Sequence, residues 1–273
     1  MPYLNPLEIG CMFWVERDTI AGIAAMGVRC GQLGIGGDTL INPEFINKIK
    51  ADVAQHEFHL VTVVASYSGE DYADLPTVQR TVGFIPPSTR AARFARTLEL
   101  VDVAAQLGID AIACHIGFVP EDHHDPDYLA VRDMVRRICD YAASKGQTFA
   151  LETGQEPAQA LLDFINDVDR PNLKVNFDPA NMILYGSGHP HDAVRVLASK
   201  IVSVHAKDGD WPAAGELGNE RPLGKGAVDF PRFIQTLRSV GYQGPLCIER
   251  EAHDPFERVE DMRAAVPFLR RLL

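Results

Sequence analysis

Four polar side chains stand at the ends of four successive apolar runs in the C-terminal half of the chain. They are Glu152 in FALETG, Asp178 in VNFDPAN, His205 in VSVHAKD and Glu249 in LCIERE. Two glutamates, an aspartate and a histidine form an oxygen-rich ligand set. It suits Mn²⁺, Mg²⁺ or Co²⁺ better than the thiolate sets typical of structural zinc. Three carboxylates gathered at one point repel each other unless a cation lies between them. The chemistry these residue types offer is therefore that of one divalent ion. Charged residues seldom end buried strands by accident. The spacing also supports convergence: 26 positions separate Glu152 from Asp178 and 27 separate Asp178 from His205, about one strand–helix unit each. The longer step of 44 positions to Glu249 contains an insertion.

The elements that must position these groups alternate along the whole chain. Strand-like runs are expected at 7–14, 28–35, 58–67, 110–117, 148–153, 173–179, 201–207 and 245–250. Amphipathic stretches of helical length lie between them. The clearest is YLAVRDMVRRICDYAASKG, with Leu129, Val131, Val135, Ile138 and Tyr141 on one face and Gly146 as its stop. Another, TRAARFARTLELVDVAAQLG, ends at Gly108, and in the last, PFERVEDMRAAVPFLRRLL, Pro267 predicts a kink or break. Eight strand–helix repeats in 273 residues point to a (β/α)₈ TIM barrel read as a single domain, 1–273. A doubly wound open sheet is the alternative; the GIGGD at 34–38 lacks GxGxxG spacing, which weakens a dinucleotide-binding reading. Insertions at 68–88 and 208–228 follow the third and seventh strands. That is the face on which barrel active sites are built, and long loops there form lids or binding walls.

Bulk properties narrow the partners. A net charge of −11 argues against nucleic acid. The five cysteines, Cys11, Cys30, Cys114, Cys139 and Cys247, lack CxxC spacing and read as buried reduced thiols of a cytoplasmic protein. The stretch before Glu16 has no basic segment and only a short apolar run, so no signal peptide is expected. No run of about 18 apolar residues predicts a membrane span.

LETG, NFDPAN, VHAKDGDW, PLGKGAVDF and IERE, with CHIGFVPED after the fourth strand and TVQRTVGFIPPSTRAAR after the third, resemble the sugar phosphate isomerase/epimerase family. These are the xylose isomerase-like barrels, and the likeness covers nearly the whole chain. The resemblance implies a (β/α)₈ fold with one divalent metal on Glu152, Asp178, His205 and Glu249. Mn²⁺ is the expected ion, with Mg²⁺, Co²⁺ or Zn²⁺ as alternatives. Two departures matter. The endonuclease IV branch has a further His where Asn181 stands here and a later Asp-x-His pair that DGDW lacks, which together with the acidic charge argues against a nuclease. The D-tagatose 3-epimerase group also has His at the Asn181 position and an Arg where Trp211 stands, so its free-ketohexose specificity does not transfer.

The expected substrate is a small keto sugar or derivative, with neither nucleic acid nor membrane as partner; a homo-oligomer is left open. A divalent Lewis acid polarises the sugar carbonyl and stabilises the enediolate left when the neighbouring carbon loses its proton. Glu152 and Glu249 are the expected catalytic acid/base pair. Proton delivery to the opposite face gives epimerisation; return between adjacent carbons gives aldose–ketose isomerisation. The sequence leaves both open. His115, at the end of ACHIGF, is an expected substrate contact. Lys207 shares the side of His205 if the strand continues, and either neutralises an enediolate, holds a substrate carboxylate or phosphate, or is an exposed loop lysine. Asn181 either binds a hydroxyl or caps a turn, and Trp14 is either a sugar platform or core. Trp211 and Arg221 in the 208–228 loop are lid candidates. His123 and His124 in EDHHDPD read as a polar helix entry. The competing readings are a lyase on the same scaffold, acting on a keto-inositol or a 3-keto-glycoside, and a non-catalytic sugar-binding barrel.

Overall fold

In the computed structural model, which describes residues 6–273, eight parallel strands close into a barrel. They are β1 (Ile9–Trp14), β2 (Cys30–Ile35), β3 (His59–Ala65), β4 (Ala111–Cys114), β5 (Thr148–Glu152), β6 (Leu173–Phe177), β7 (Ile201–Ala206) and β8 (Leu246–Ile248). β8 pairs with both β7 and β1, which closes the ring. Every expected strand is present, each one to four residues shorter than its apolar run. The runs extend past the ladders because residues just beyond the strands are still buried. Ile116, for example, is 2% exposed although β4 ends at Cys114.

Two apolar layers hold the barrel. Small side chains, among them Cys30, Ala113, Ala150 and Cys247, fill the inside with Met12, Val61 and Val64. A larger layer, including Phe149, Val175, Phe177 and Leu246, packs the outside of the sheet under the helices. All five cysteines are buried and free, as expected, and burial pushes the Cys30 and Cys139 thiols up to about 12. At Gly31 a side chain would bring its Cβ within 2.3 Å of the Cys11 carbonyl oxygen, so glycine lets β1 and β2 close here.

Two ladders slip by one residue. β3 carries an extra residue, Val61, opposite the Gly31–Gln32 step, and β7 carries Val202 opposite Val175–Asn176. Such bulges re-aim the side chains that follow them. Here those are Gln32 on β2, Asn176 on β6 and the Ser203–His205 pair on β7.

The helices follow the expected pattern. The stretch 126–144 buries Val131, Val135 and Ile138, with Tyr128 and Met134 completing the face. The last helix, Pro255–Arg270, runs unbroken through Pro267, so of the expected kink or break the break does not occur. The proline lies in the final turn, and buried Ala265, Val266 and Leu269 hold that turn against the barrel. The 68–88 insertion contains a short helix, Leu75–Thr81, capped by Asp74. The 208–228 insertion forms a two-residue antiparallel ribbon, Asp208–Gly209 with Glu220–Arg221. Asp208 organises it by accepting hydrogen bonds from the backbone N–H groups of Gly209, Gly224, Gly226 and Val228. No helix among the described residues is long and apolar enough to cross a membrane.

Candidate metal centre

The barrel brings the four polar strand ends together. Glu152 is the last residue of β5, Asp178 follows β6, His205 is the penultimate residue of β7, and Glu249 follows β8. One ligand atom from each lies within 4.8 Å of all the others, and all four side chains are buried. His205 Nδ1 sits 3.2 Å from Glu152 Oε1, 3.3 Å from Asp178 Oδ2 and 3.0 Å from Glu249 Oε2. Asp178 is fixed by its second role as the N-cap of the helix Pro179–Leu184, where its Oδ1 accepts from the Asn181 N–H at 2.8 Å. Its own N–H donates to Thr153 Oγ1 at 2.7 Å, tying the β6 end to β5.

Behind His205 lies a buried polar network whose members do not stand at strand ends. Gln32 Oε1 is 2.7 Å from His205 Nε2, and Gln32 Nε2 donates to Asn176 Oδ1 at 2.9 Å. Ser203 Oγ donates to the same Asn176 oxygen at 2.5 Å, and Asn176 Nδ2 packs 3.0 Å from His205 Nε2. An amide oxygen can only accept, and the Gln32 contact is the shorter of the two at Nε2, so it calls for a proton there, with the Asn176 Nδ2 group then making no hydrogen bond to that nitrogen. In neutral His205 the lone pair is then on Nδ1, facing the three carboxylates. Strand parity held a signal for part of this network: Asn176 and Asp178, and Ser203 and His205, are each two residues apart and share a face.

The donor set fits a hard divalent cation: three carboxylates, and an imidazole whose free nitrogen is preset toward them. The protein's own charges show how strong the local field is. Burial opposes the His205 imidazolium, yet Glu249 and Glu152 hold its pKa well above the usual imidazole range. Glu249 is penalised by burial but held down to about 2 by His205 and Lys207. Burial likewise opposes ionised Glu152, yet His115 and His205 hold it well below the usual carboxylate range.

Above the cluster is a cavity of about 460 Å³ lined by Glu152, Glu249, His115, Asn181, Lys207 and Trp14, among others. His115 Nε2 lies 3.4 Å from Glu152 Oε1, and Asn181 Nδ2 donates to that oxygen at 3.1 Å. Burial disfavours charge on His115, but Glu152 and Glu70 push it up to about 9. Lys207 is a buried lysine, not an exposed one; its Nζ reaches Glu249 Oε2 at 3.2 Å and Glu251 Oε2 at 2.5 Å. Trp211 and Arg221 are absent from the cavity wall. The Trp211 ring packs 5.0 Å from His189, and Arg221 pairs with Asp210 at 2.5 Å. The same segment borders the cavity through Leu217, Gly218 and Glu220 instead. The loops contribute residues that strand ends could not reveal: Tyr72 from the 68–88 insertion, whose ring lies 6.2 Å from His115, together with Tyr185, Glu220 and Glu251. His123 stacks on Tyr128 at 4.7 Å and His124 is solvent-exposed beside Asp122, outside the cluster.

The family model described as xylose isomerase-like TIM barrel matches residues 20–272, and the chain belongs to this family. A xylose isomerase domain protein from Planctomyces limnophilus is 38% identical in sequence; the match covers 98% of this chain and 97% of that one, with a TM-score of 0.91. An L-ribulose 3-epimerase from a Methylomonas strain is 30% identical over 128 residues, which is 42% of this chain and 39% of the relative. An Escherichia coli L-ribulose-5-phosphate 3-epimerase is 28% identical over 139 residues, 48% of this chain and 47% of the relative. The match to each of these two epimerases thus spans less than half of the relative's length.

Proposed function

We propose that the protein is a divalent-metal-dependent isomerase or epimerase of a keto sugar or keto-sugar derivative, with Glu152 and Glu249 exchanging the proton. The observation that carries this reading is the convergence of two glutamates, an aspartate and a histidine on one buried point beneath an open cavity. The sugar 3-epimerases among the relatives support it.

Glu152, Asp178, His205 and Glu249 would hold the ion, with Mn²⁺ the expected one. When bound, the ion supplies Lewis acidity, which makes a C–H beside a sugar carbonyl acidic enough to lose its proton at neutral pH. The rest falls to the side chains. β5 and β8 stand at the two ends of the β5–β6–β7–β8 arc, so Glu152 and Glu249 approach the cavity from different sides. Each turns one oxygen, Oε1 of Glu152 and Oε2 of Glu249, toward His205. One carboxylate takes the proton from carbon and the other, protonated, returns one to the opposite face, which inverts that carbon. His115 and Asn181, both within reach of Glu152 Oε1, orient that carboxylate and meet the sugar hydroxyls beside it. Lys207 balances the charge of Glu249. Trp14 and Tyr72 offer flat faces to the sugar C–H bonds.

The test is incubation with Mn²⁺ and a panel of ketoses in D₂O. Carbon-bound deuterium accompanied by interconversion of two sugars is the expected result. Loss of water or an aglycone would make the protein a lyase on the same scaffold, and no exchange with any sugar would refute the reading.

A further inference from the structure

The cavity over the metal centre does not end at one sugar's length. Beside it, along the β1 and β2 ends, lies a second groove of about 500 Å³. Trp14, Arg17, Ser66, Tyr72 and Glu251 line both spaces, so the two share one wall. Either volume alone is in the range of a small-molecule site. Together they exceed what a single monosaccharide ring fills.

The far wall of the groove, Gly36–Thr39, is held in place. Arg96 Nη2 donates to the carbonyls of Gly36 at 2.8 Å and Thr39 at 2.9 Å. Glu16 accepts from the Gly36 N–H at 2.9 Å and from the Thr39 hydroxyl. A Cβ on Gly37 would lie 2.1 Å from the Ser68 nitrogen, so the loop is pressed against the end of β3. A braced wall of this kind binds without first having to be ordered.

The charges select the occupant. Glu16 is engaged by the Gly36–Thr39 loop and Glu251 by Lys207, which leaves Asp38 and Arg17 as the charged groups offered by the groove. A phosphate needs convergent cations and donors, and a lone Arg17 beside Asp38 does not supply them. Carboxylates beside aromatic faces suit a neutral polyhydroxyl unit: the acids accept its O–H groups, and Trp14 and the 43%-exposed Tyr72 cover its C–H face.

Resting on the keto-sugar reading above, we propose that the substrate is a glycosylated keto sugar, its reacting unit over the metal centre and a second, uncharged sugar ring in the groove between Trp14, Tyr72 and the Gly36–Thr39 loop. The test is calorimetric binding to the Mn²⁺-loaded protein of D-fructose, D-fructose 6-phosphate and three keto-disaccharides: isomaltulose, turanose and lactulose. At least one disaccharide is expected to bind about tenfold or more tighter than fructose, with the phosphate weakest. Asp38→Trp, a change at an exposed side chain that fills the groove, is expected to erase the disaccharide preference. Equal or weaker binding of every disaccharide, preferential binding of the phosphate, or a preference that survives Asp38→Trp would overturn the assignment. The two readings separate by deuterium incorporation. Exchange into fructose without disaccharide preference keeps the isomerase reading and removes the groove. Disaccharide preference without exchange into any sugar keeps the groove and removes the isomerase.

Discussion

Replacing Gln32 by leucine removes the side chain that presets His205 while nearly keeping its volume. Two buried hydrogen bonds disappear, the 2.7 Å contact with His205 Nε2 and the 2.9 Å donation to Asn176 Oδ1. Asn176 Oδ1 keeps Ser203 as a donor, so the unpaired group left behind is the His205 Nε2–H. An unsatisfied buried donor costs about 1–3 kcal/mol, and urea unfolding of the metal-free protein should show a loss of that size. The larger consequence is at the metal. Partners that orient a ligating histidine are worth about 10–100-fold in metal affinity, or about 1.4–2.7 kcal/mol. Calorimetric titration with Mn²⁺ should show a rise in Kd of that order. Gln32→Glu provides the control: its carboxylate still accepts from Nε2 but cannot donate to Asn176. Its Mn²⁺ affinity should stay near that of the wild type while some stability is lost. If Gln32→Leu binds Mn²⁺ within twofold of wild type, the network is packing alone and the argument for a preset Nδ1 fails.

Glu152→Gln and Glu249→Gln should each lower kcat by about 10²–10⁴-fold, the usual scale of a lost general acid or base, with thermal stability largely retained; near-wild-type turnover by either on an established substrate refutes the two-carboxylate scheme. Treatment with a chelator should abolish activity, and Mn²⁺ or Co²⁺ should restore it; full activity after verified metal removal refutes metal dependence. Glu156 lies beside a smaller hollow of about 290 Å³ away from the metal centre, and burial pushes its carboxyl up to about 7 from 4.5. Because the folded pKa is the higher one, the folded state holds this proton more tightly. Its contribution to stability is full below pH 4.5, falls as pH rises to about 7 and is flat above. Glu156→Gln, which can still accept from the Val119 N–H, should therefore flatten this part of the pH–stability curve and add up to about 3 kcal/mol above pH 7; an unchanged slope between pH 5 and 7 refutes the assignment.

Much of the fold was legible because it rests on local order. Each strand announced itself as a short apolar run with a helix-forming stretch behind it, and eight such units admit few closed arrangements. The four ligands were legible for a related reason: a charged residue at the end of a buried strand is conspicuous against its neighbours. Gln32 was not, since one amide in CGQLGI carries no sign of a partner at 205. Loop length alone makes Trp211 and Arg221 lid candidates, but Trp211 packs on His189 and Arg221 pairs with Asp210, while Leu217, Gly218 and Glu220 of the same loop line the cavity. Nothing in the sequence marks Tyr72 as a cavity residue, because a tyrosine in an insertion has no periodicity.

The sequence by itself determined which residues are chemically capable and on which strands they end, because residue type and strand period are properties of a few neighbouring positions. Only the tertiary structure decided what faces what. Closure of the barrel sets Gln32 against His205 across 173 positions. The extra residues in β3 and β7 sit beside the steps at which Gln32 and Asn176 join that network. The loop ends place a second groove beside the first. Such pairings depend on strand register and loop path, which are fixed by packing between segments distant in the chain.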